Sequence, residues 1–242
     1  MARRNLLILL GAAVVVVIGG VILYNTFLGA TEEASGPISA IPLDEDTASD
    51  DGGTGDSNTA DVETGMTLYS ISQDDSEATF TLSEVLRGED AIVVGTTNQV
   101  AGEIAVNPDD LSTAQVGTIQ VNARTLVTDE SRRNQMIRNQ ILNTNSYEFV
   151  TFAPTEIVGL SGSATPGQEW TFQIVGDLTI RDITNQVTFD VTAQIGENGQ
   201  LVGTAATTVN RSDFNLNIPS VPFVADVGEE VTLSLDFAAP EA

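Results

Sequence analysis

Residues 187–209 read VTFDVTAQI, then GENGQ, then LVGTAATTV. In the first run Val187, Phe189, Val191, Ala193 and Ile195 alternate with Thr188, Asp190, Thr192 and Gln194, the period-two pattern of a strand with one dry and one wet face. The second run keeps the period but carries small side chains. Between them, Asn198-Gly199 is a strong hairpin signal because both residues tolerate positive φ, so the runs are expected to pair antiparallel. A two-residue turn sets Ile195 against Val202, Ala193 against Thr204, Val191 against Ala206 and Phe189 against Thr208. A one-residue bulge instead turns Leu201, Gly203, Ala205, Thr207 and Val209 inward. Either register lines one wall mainly with small residues.

The alternation spreads outward from this hairpin through Met66 and the residues after it. It recurs at Trp170, Phe172, Ile174, Gly176, Leu178 and Ile180, and at Val231, Leu233, Leu235 and Phe237. Shorter stretches surround Phe80 and Leu82, Ile92 and Val94, Ile104 and Val106, Ile119 and Val121, and Phe149 and Thr151. In contrast, Asp129 to Leu142 (DESRRNQMIRNQIL) has acids at its start and Met136, Ile137 and Ile141 at helical spacing, so it reads as one amphipathic helix. One helix cannot cover eight or nine strands, so the sheet must close on itself or fold into a sandwich, and closure also removes exposed edges. An eight-stranded barrel is about the size that side chains just fill or that holds one ligand, so a small-residue wall favours a cavity. Alternation alone leaves a packed core and a ligand tunnel equally open.

The N-terminus carries a different signal. Arg3 and Arg4 precede an uncharged run from Leu6 to Leu28, long enough for a helix to cross a bilayer. The positive flank sets the N-terminus in the cytoplasm and the rest outside, as a single-pass cell-membrane protein. A cleaved signal peptide is the competing reading, but its apolar core is usually shorter. Thr31 to Gly65 holds ten acids and no base, and is expected to be a disordered, self-repelling linker. Within it Asp44 to Asp56 (DEDTASDDGGTGD) lacks the closing Glu of a calcium loop and reads as a solvated acidic tail. The expected division is an anchor over 1–30, a linker over 31–65 and a β-domain over 66–242.

Composition narrows the chemistry. All nine basic residues are Arg, and thirty-four carboxylates give a net charge of −25, a field that repels nucleic acid. There is no His, Cys or Lys, which removes imidazole bases, thiolate nucleophiles and ligands, and Schiff bases. No cofactor or metal is expected, and the chain reads as a non-enzyme. Asp74, Asp75 and Glu77 are the nearest thing to a catalytic carboxylate pair, and an acidic turn before a strand explains them better. Arg132, Arg133 and Arg138 form a basic cluster able to meet a headgroup or to pair with carboxylates. Arg211 and Asp213 read as a loop clamp.

Four segments in order resemble the YceI family. Gly176 to Val191 (GDLTIRDITNQVTFDV) is similar to that family's G-x-L-T-I-x-G-x-T and its following strand. Thr208 to Phe214 (TVNRSDF), Val227 to Phe237 (VGEEVTLSLDF) and Thr125 to Phe152 match three further segments. Asp75, Arg181, Asp182 and Glu148 depart from it, standing where the family usually has His, His, Gly and Pro. The resemblance implies an all-β, elongated, antiparallel, eight-stranded, lipocalin-like barrel with one short amphipathic helix. Its lumen would take a long apolar amphiphile: a polyisoprenoid, an isoprenoid quinone or a fatty-acid-like lipid. No catalytic residues come with it. The expected lining is Phe80, Leu82, Ile137, Ile141, Phe149, Trp170, Phe172, Ile174, Phe189, Val191, Ala206, Leu233 and Leu235, with Arg138 and Arg211 as headgroup candidates. The partners expected are that lipid and, through residues 6–28, the cytoplasmic membrane; a homodimer is left open. The alternative is a non-catalytic structural or adhesive surface domain with a packed core.

Overall fold

The computed structural model describes residues 32–43, 65–220 and 224–242. Among the described residues there are thirteen strands: β1 Thr67–Ser70, β2 Glu77–Leu86, β3 Glu89–Thr97, β4 Val100–Ala101, β5 Glu103–Val106, β6 Gln115–Val116, β7 Ile119–Asn122, β8 Phe149–Val158, β9 Glu169–Ile180, β10 Ile183–Ile195, β11 Leu201–Asn210, β12 Val224–Ala225 and β13 Glu230–Ala239. Ten form one antiparallel sheet in the order β12-β2-β13-β11-β10-β9-β8-β7-β4, with β3 on the other edge of β2. The remaining three form a small sheet, β1-β5-β6. The count exceeds eight because the two-residue β4 and β12 extend the rim, and the β1-β5-β6 sheet adds three more.

The β10–β11 hairpin takes the bulged register: Val191 faces Ala205, Ala193 faces Gly203 and Ile195 faces Leu201. Gly199 has φ 80° while Asn198 stays outside the left-handed region, so the turn is not type I′. Gly199 N–H donates to Gly196 C=O at 3.0 Å and Gly196 N–H to Gln200 C=O at 2.9 Å. This is a three-residue loop with a left-handed glycine at its end. The consequence is a one-residue flip: Ala205 faces inward and Ala206 does not. The tightest hairpin lies elsewhere, at Arg87-Gly88, where φ of 56° and 88° meets the type I′ requirement between Leu86 and Glu89.

The sheet curls into a nearly closed barrel. Its ends, β3 and the β4–β7 edge, are bridged by the segment after β7: Thr96 and Val127 exchange both backbone hydrogen bonds, and the Thr97 and Thr125 hydroxyls lie 2.6 Å apart. That segment runs into helix α1, Ser131–Met136, capped by the Glu130 carboxylate accepting from Arg133 N–H. A π turn over Ile137–Ile141 follows, closed by Leu142 N–H donating to Ile137 C=O at 2.8 Å. At the opposite end of the barrel Tyr69 and Leu111 are almost fully buried. Among the described residues no helix is long and apolar enough to cross a membrane. Leu6 to Leu28 and Asp44 to Asp56 lie outside the described residues.

Part of the expected linker is ordered. Residues 32–43 form an extended strap on the barrel exterior, where the Ser35 N–H and hydroxyl donate to Glu148, each at 2.6 Å, and Gln73 Nε2 donates to Ile38 C=O. Arg124 ties it further, donating to Glu33 C=O at 2.7 Å while pairing with Glu148 at 3.3 Å. Burial raises the Glu148 pKa, but the Ser35 and Asn122 hydrogen bonds and the Arg124 charge outweigh it and hold the carboxyl below its ordinary value. A carboxylate depressed in the folded state contributes stability above its unfolded pKa and loses it as pH falls through the folded value. Hydrogen exchange is therefore expected to show residues 32–43 protected at pH 6 and released once the pH has fallen well below the ordinary range of a glutamate. Equal protection at both would contradict that anchoring.

Candidate ligand cavity

The inward faces of the barrel do not meet. They enclose a cavity of about 750 Å³, within the range of about 300–1,000 Å³ seen for small-molecule pockets. The side chains themselves record this void. Phe172, Phe189, Leu233 and Leu235 point inward and line it, yet each keeps partial accessibility because it faces open space rather than a packed neighbour. The slender wall is β11, where Ala205 lies between Val191 and Leu235 in the register.

Of the expected lining, Phe80, Leu82, Trp170, Phe172, Ile174, Phe189, Val191, Leu233 and Leu235 face the cavity from the sheet, and Ile137 and Ile141 from the π turn. Phe149, Ala206 and Arg138 do not. Along β8 it is Val150 and Phe152 that point inward, so alternation turns Phe149 outward, and a bulge between Pro154 and Glu156 then brings Ile157 to the inner face. Ala206 is displaced by the hairpin register. Arg138 shares a helix face with Asn134, whose amide accepts from Thr128 N–H; both residues address the 126–128 segment, with Arg138 reaching Leu126 C=O at 3.4 Å. Arg211 does line the cavity, and it also clamps its loop by donating to Gly228 and Leu216 carbonyls and pairing with Glu229. Asp74, Asp75 and Glu77 are exposed and none lines the cavity.

Three glycines shape the lumen. Gly95 lies opposite Phe80, Gly203 opposite Phe237, and Gly176 beside Phe152. A Cβ at these sites would stand 2.2, 2.8 and 2.6 Å from the respective ring. The rings therefore lie on bare backbone along the wall rather than projecting across the space, as aromatics do when they cover glycines in sheets. Gly95→Ala is expected to push the Phe80 ring into the lumen and weaken binding of an apolar ligand about tenfold, near 1.4 kcal/mol. A crystal structure of the variant shows the ring's position; an unmoved ring with unchanged affinity would contradict this reading.

Polar lining concentrates where β2 ends. Glu84, buried at 6% side-chain exposure, pairs with Arg133 at 2.9 Å, and Arg133 also pairs with Asp129. Arg87, Glu130 and Arg132 complete this end with exposed side chains, whereas Leu111, Ile195 and Leu201 at the other end are buried. The mouth therefore lies beside α1 and the β2–β3 hairpin. Glu84 was not expected at the site, although its signal is in the sequence: Ala78, Phe80, Leu82 and Glu84 share one strand face, so alternation carries a carboxylate inward.

A model of the YceI-like domain matches residues 69–239. The chain is 29% identical over 123 residues to the UPF0312 protein SAS2572 of Staphylococcus aureus strain MSSA476, a match covering 48% of this chain and 65% of that protein. It thus spans somewhat under two thirds of that relative. Among solved structures, a polyisoprenoid binding domain from Saccharophagus degradans, implicated in plant cell wall breakdown, superposes with a TM-score of 0.55 at 10% identity, over 72% of this chain and 98% of that one. Burkholderia cenocepacia BcnA gives a TM-score of 0.53 at 16% identity, over 69% and 98%. At such identities these two likenesses speak for the fold.

Proposed function

The chain belongs to the YceI-like domain family, and from that premise we propose that it is a non-catalytic, extracytoplasmic binding module that holds the apolar chain of a polyisoprenoid, isoprenoid quinone or similar lipid in its barrel. The cavity carries the proposal: about 750 Å³, bounded by the aliphatic and aromatic faces of the sheet, with its charged groups gathered at one end. An apolar void of this kind stays dry and favours an apolar guest. Burying roughly 400 Å² of hydrocarbon yields on the order of 10 kcal/mol gross, enough for tight binding after the loss of motional freedom. The polyisoprenoid-binding relative supports the same class of ligand. A packed structural core would leave no such void. The uncharged run from Leu6 to Leu28 behind Arg3 and Arg4 supports anchoring at the outer face of the cytoplasmic membrane.

Trp170 is the only tryptophan of the chain and lines the cavity, so its emission reports occupancy directly. Titration with an isoprenoid quinone is expected to quench it in a saturable, one-to-one manner. Emission unchanged at saturating quinone, or quenching without saturation, would count against lumen binding.

A further inference from the structure

We propose that the bound amphiphile carries an anionic headgroup, phosphate or carboxylate, held at the cavity mouth by Arg87 and Arg132; this rests on the lumen-binding reading above. The argument starts from charge. In a chain with thirty-four carboxylates and nine arginines, an arginine side chain should find a carboxylate almost anywhere. Most of those in the barrel have partners: Arg124 pairs with Glu148, Arg133 with Glu84 and Asp129, and Arg211 with Glu229. Arg138 and Arg181 reach carbonyls, at Leu126 and Ile141. Among the described residues Arg87 and Arg132 have neither an ion pair nor a hydrogen bond, and both line the same cavity.

Their position is built by the fold. Arg87 occupies the first left-handed position of the type I′ turn, which sets it at the tip of the β2–β3 hairpin. Arg132 lies in the first turn of α1, whose neighbour Arg133 is tied to Glu84 of β2. The Glu84–Arg133 pair thus joins the two elements that carry the free arginines. Glu89 and Asp90 follow Arg87 in the hairpin, yet neither pairs with it; of the nearby acids that line the cavity, Glu84 is engaged by Arg133 and Glu130 caps α1. Two unpaired guanidinium forks stand at the polar end of an apolar hollow, matching an anionic oxygen group on an apolar chain.

The test compares three C20 ligands sharing one chain: geranylgeranyl phosphate, geranylgeranoic acid and geranylgeraniol, each titrated against Trp170 emission and by calorimetry. The full chain is expected to bind at least one of the anions ten or more times more tightly than the alcohol, the preference shrinking as salt is raised from 20 to 500 mM. In the Arg87→Gln/Arg132→Gln variant, checked for an unchanged melting temperature, the anion-to-alcohol ratio is expected to fall to about one. The phosphate and acid arms identify which anion the site takes. Equal affinity for all three ligands, or a preference that survives the double substitution, overturns the headgroup site while leaving lumen binding intact. Failure of all three to bind overturns both.

Discussion

Ala205→Trp is expected to abolish binding of a C20 isoprenoid, weakening it at least a hundredfold, or about 2.7 kcal/mol. Ala205 faces the lumen between Val191 and Leu235, on the wall whose small side chains leave the space open. An indole placed there occupies the volume that the guest's chain requires. Overpacking a filled core costs about 1–3 kcal/mol, but here the added ring enters a void, so the melting temperature should stay within a few degrees. Calorimetric titration together with a thermal melt separates the two effects. A folded variant that still binds normally would mean that the chain lies elsewhere.

The second large effect concerns the buried pair at the mouth. Arg133→Met is expected to destabilise the domain by about 2–3 kcal/mol. Removing one member of a buried ion pair usually costs about 3–5 kcal/mol, and the 23% exposure of Arg133 reduces this. For a domain of this size the melting temperature should drop by about 5–10 °C. The loss comes mainly from Glu84 left charged among apolar neighbours, so the double variant Glu84→Leu/Arg133→Met should recover most of it. A double variant no more stable than the single one would show that the pair's role is not electrostatic compensation.

The strand faces were legible in the sequence because a period of two converts directly into inside and outside. Trp170, Phe172 and Ile174 on β9 and Leu233 and Leu235 on β13 all point where alternation puts them. Where the reading failed, the cause was backbone geometry that composition does not encode. The choice between Ala205 and Ala206 turned on whether Asn198 adopts positive φ, and Phe149 on which phase of β8 faces inward, since Phe149 and Thr151 compete there with Val150 and Phe152. Arg138 depended on which side of a short helix meets the 126–128 segment, a tertiary matter.

The strap illustrates a different limit. Averaged over 31–65 the composition is polar and acidic, which hides Ile38, Ala40, Ile41 and Leu43, half-buried in the ordered stretch 32–43. Its order comes also from partners 113 residues away, such as Asn145 for Glu32 and Glu148 for Ser35, which no local pattern reveals. The same holds for Glu84: its inward position is readable from β2 alone, but the Arg133 that makes it tolerable arrives from a helix 49 residues on. Long-range pairing decides such sites, and periodicity does not report it.

A hollow barrel that takes up one lipid chain is the claim on which the rest depends. Native mass spectrometry of the full-length protein, purified in mild detergent from membranes that contain isoprenoid lipids, tests it most directly. The expected spectrum carries one apolar molecule per barrel, lost on organic extraction and restored by adding a C20 isoprenoid. A spectrum with only the mass of the chain, unchanged by excess isoprenoid, would contradict it.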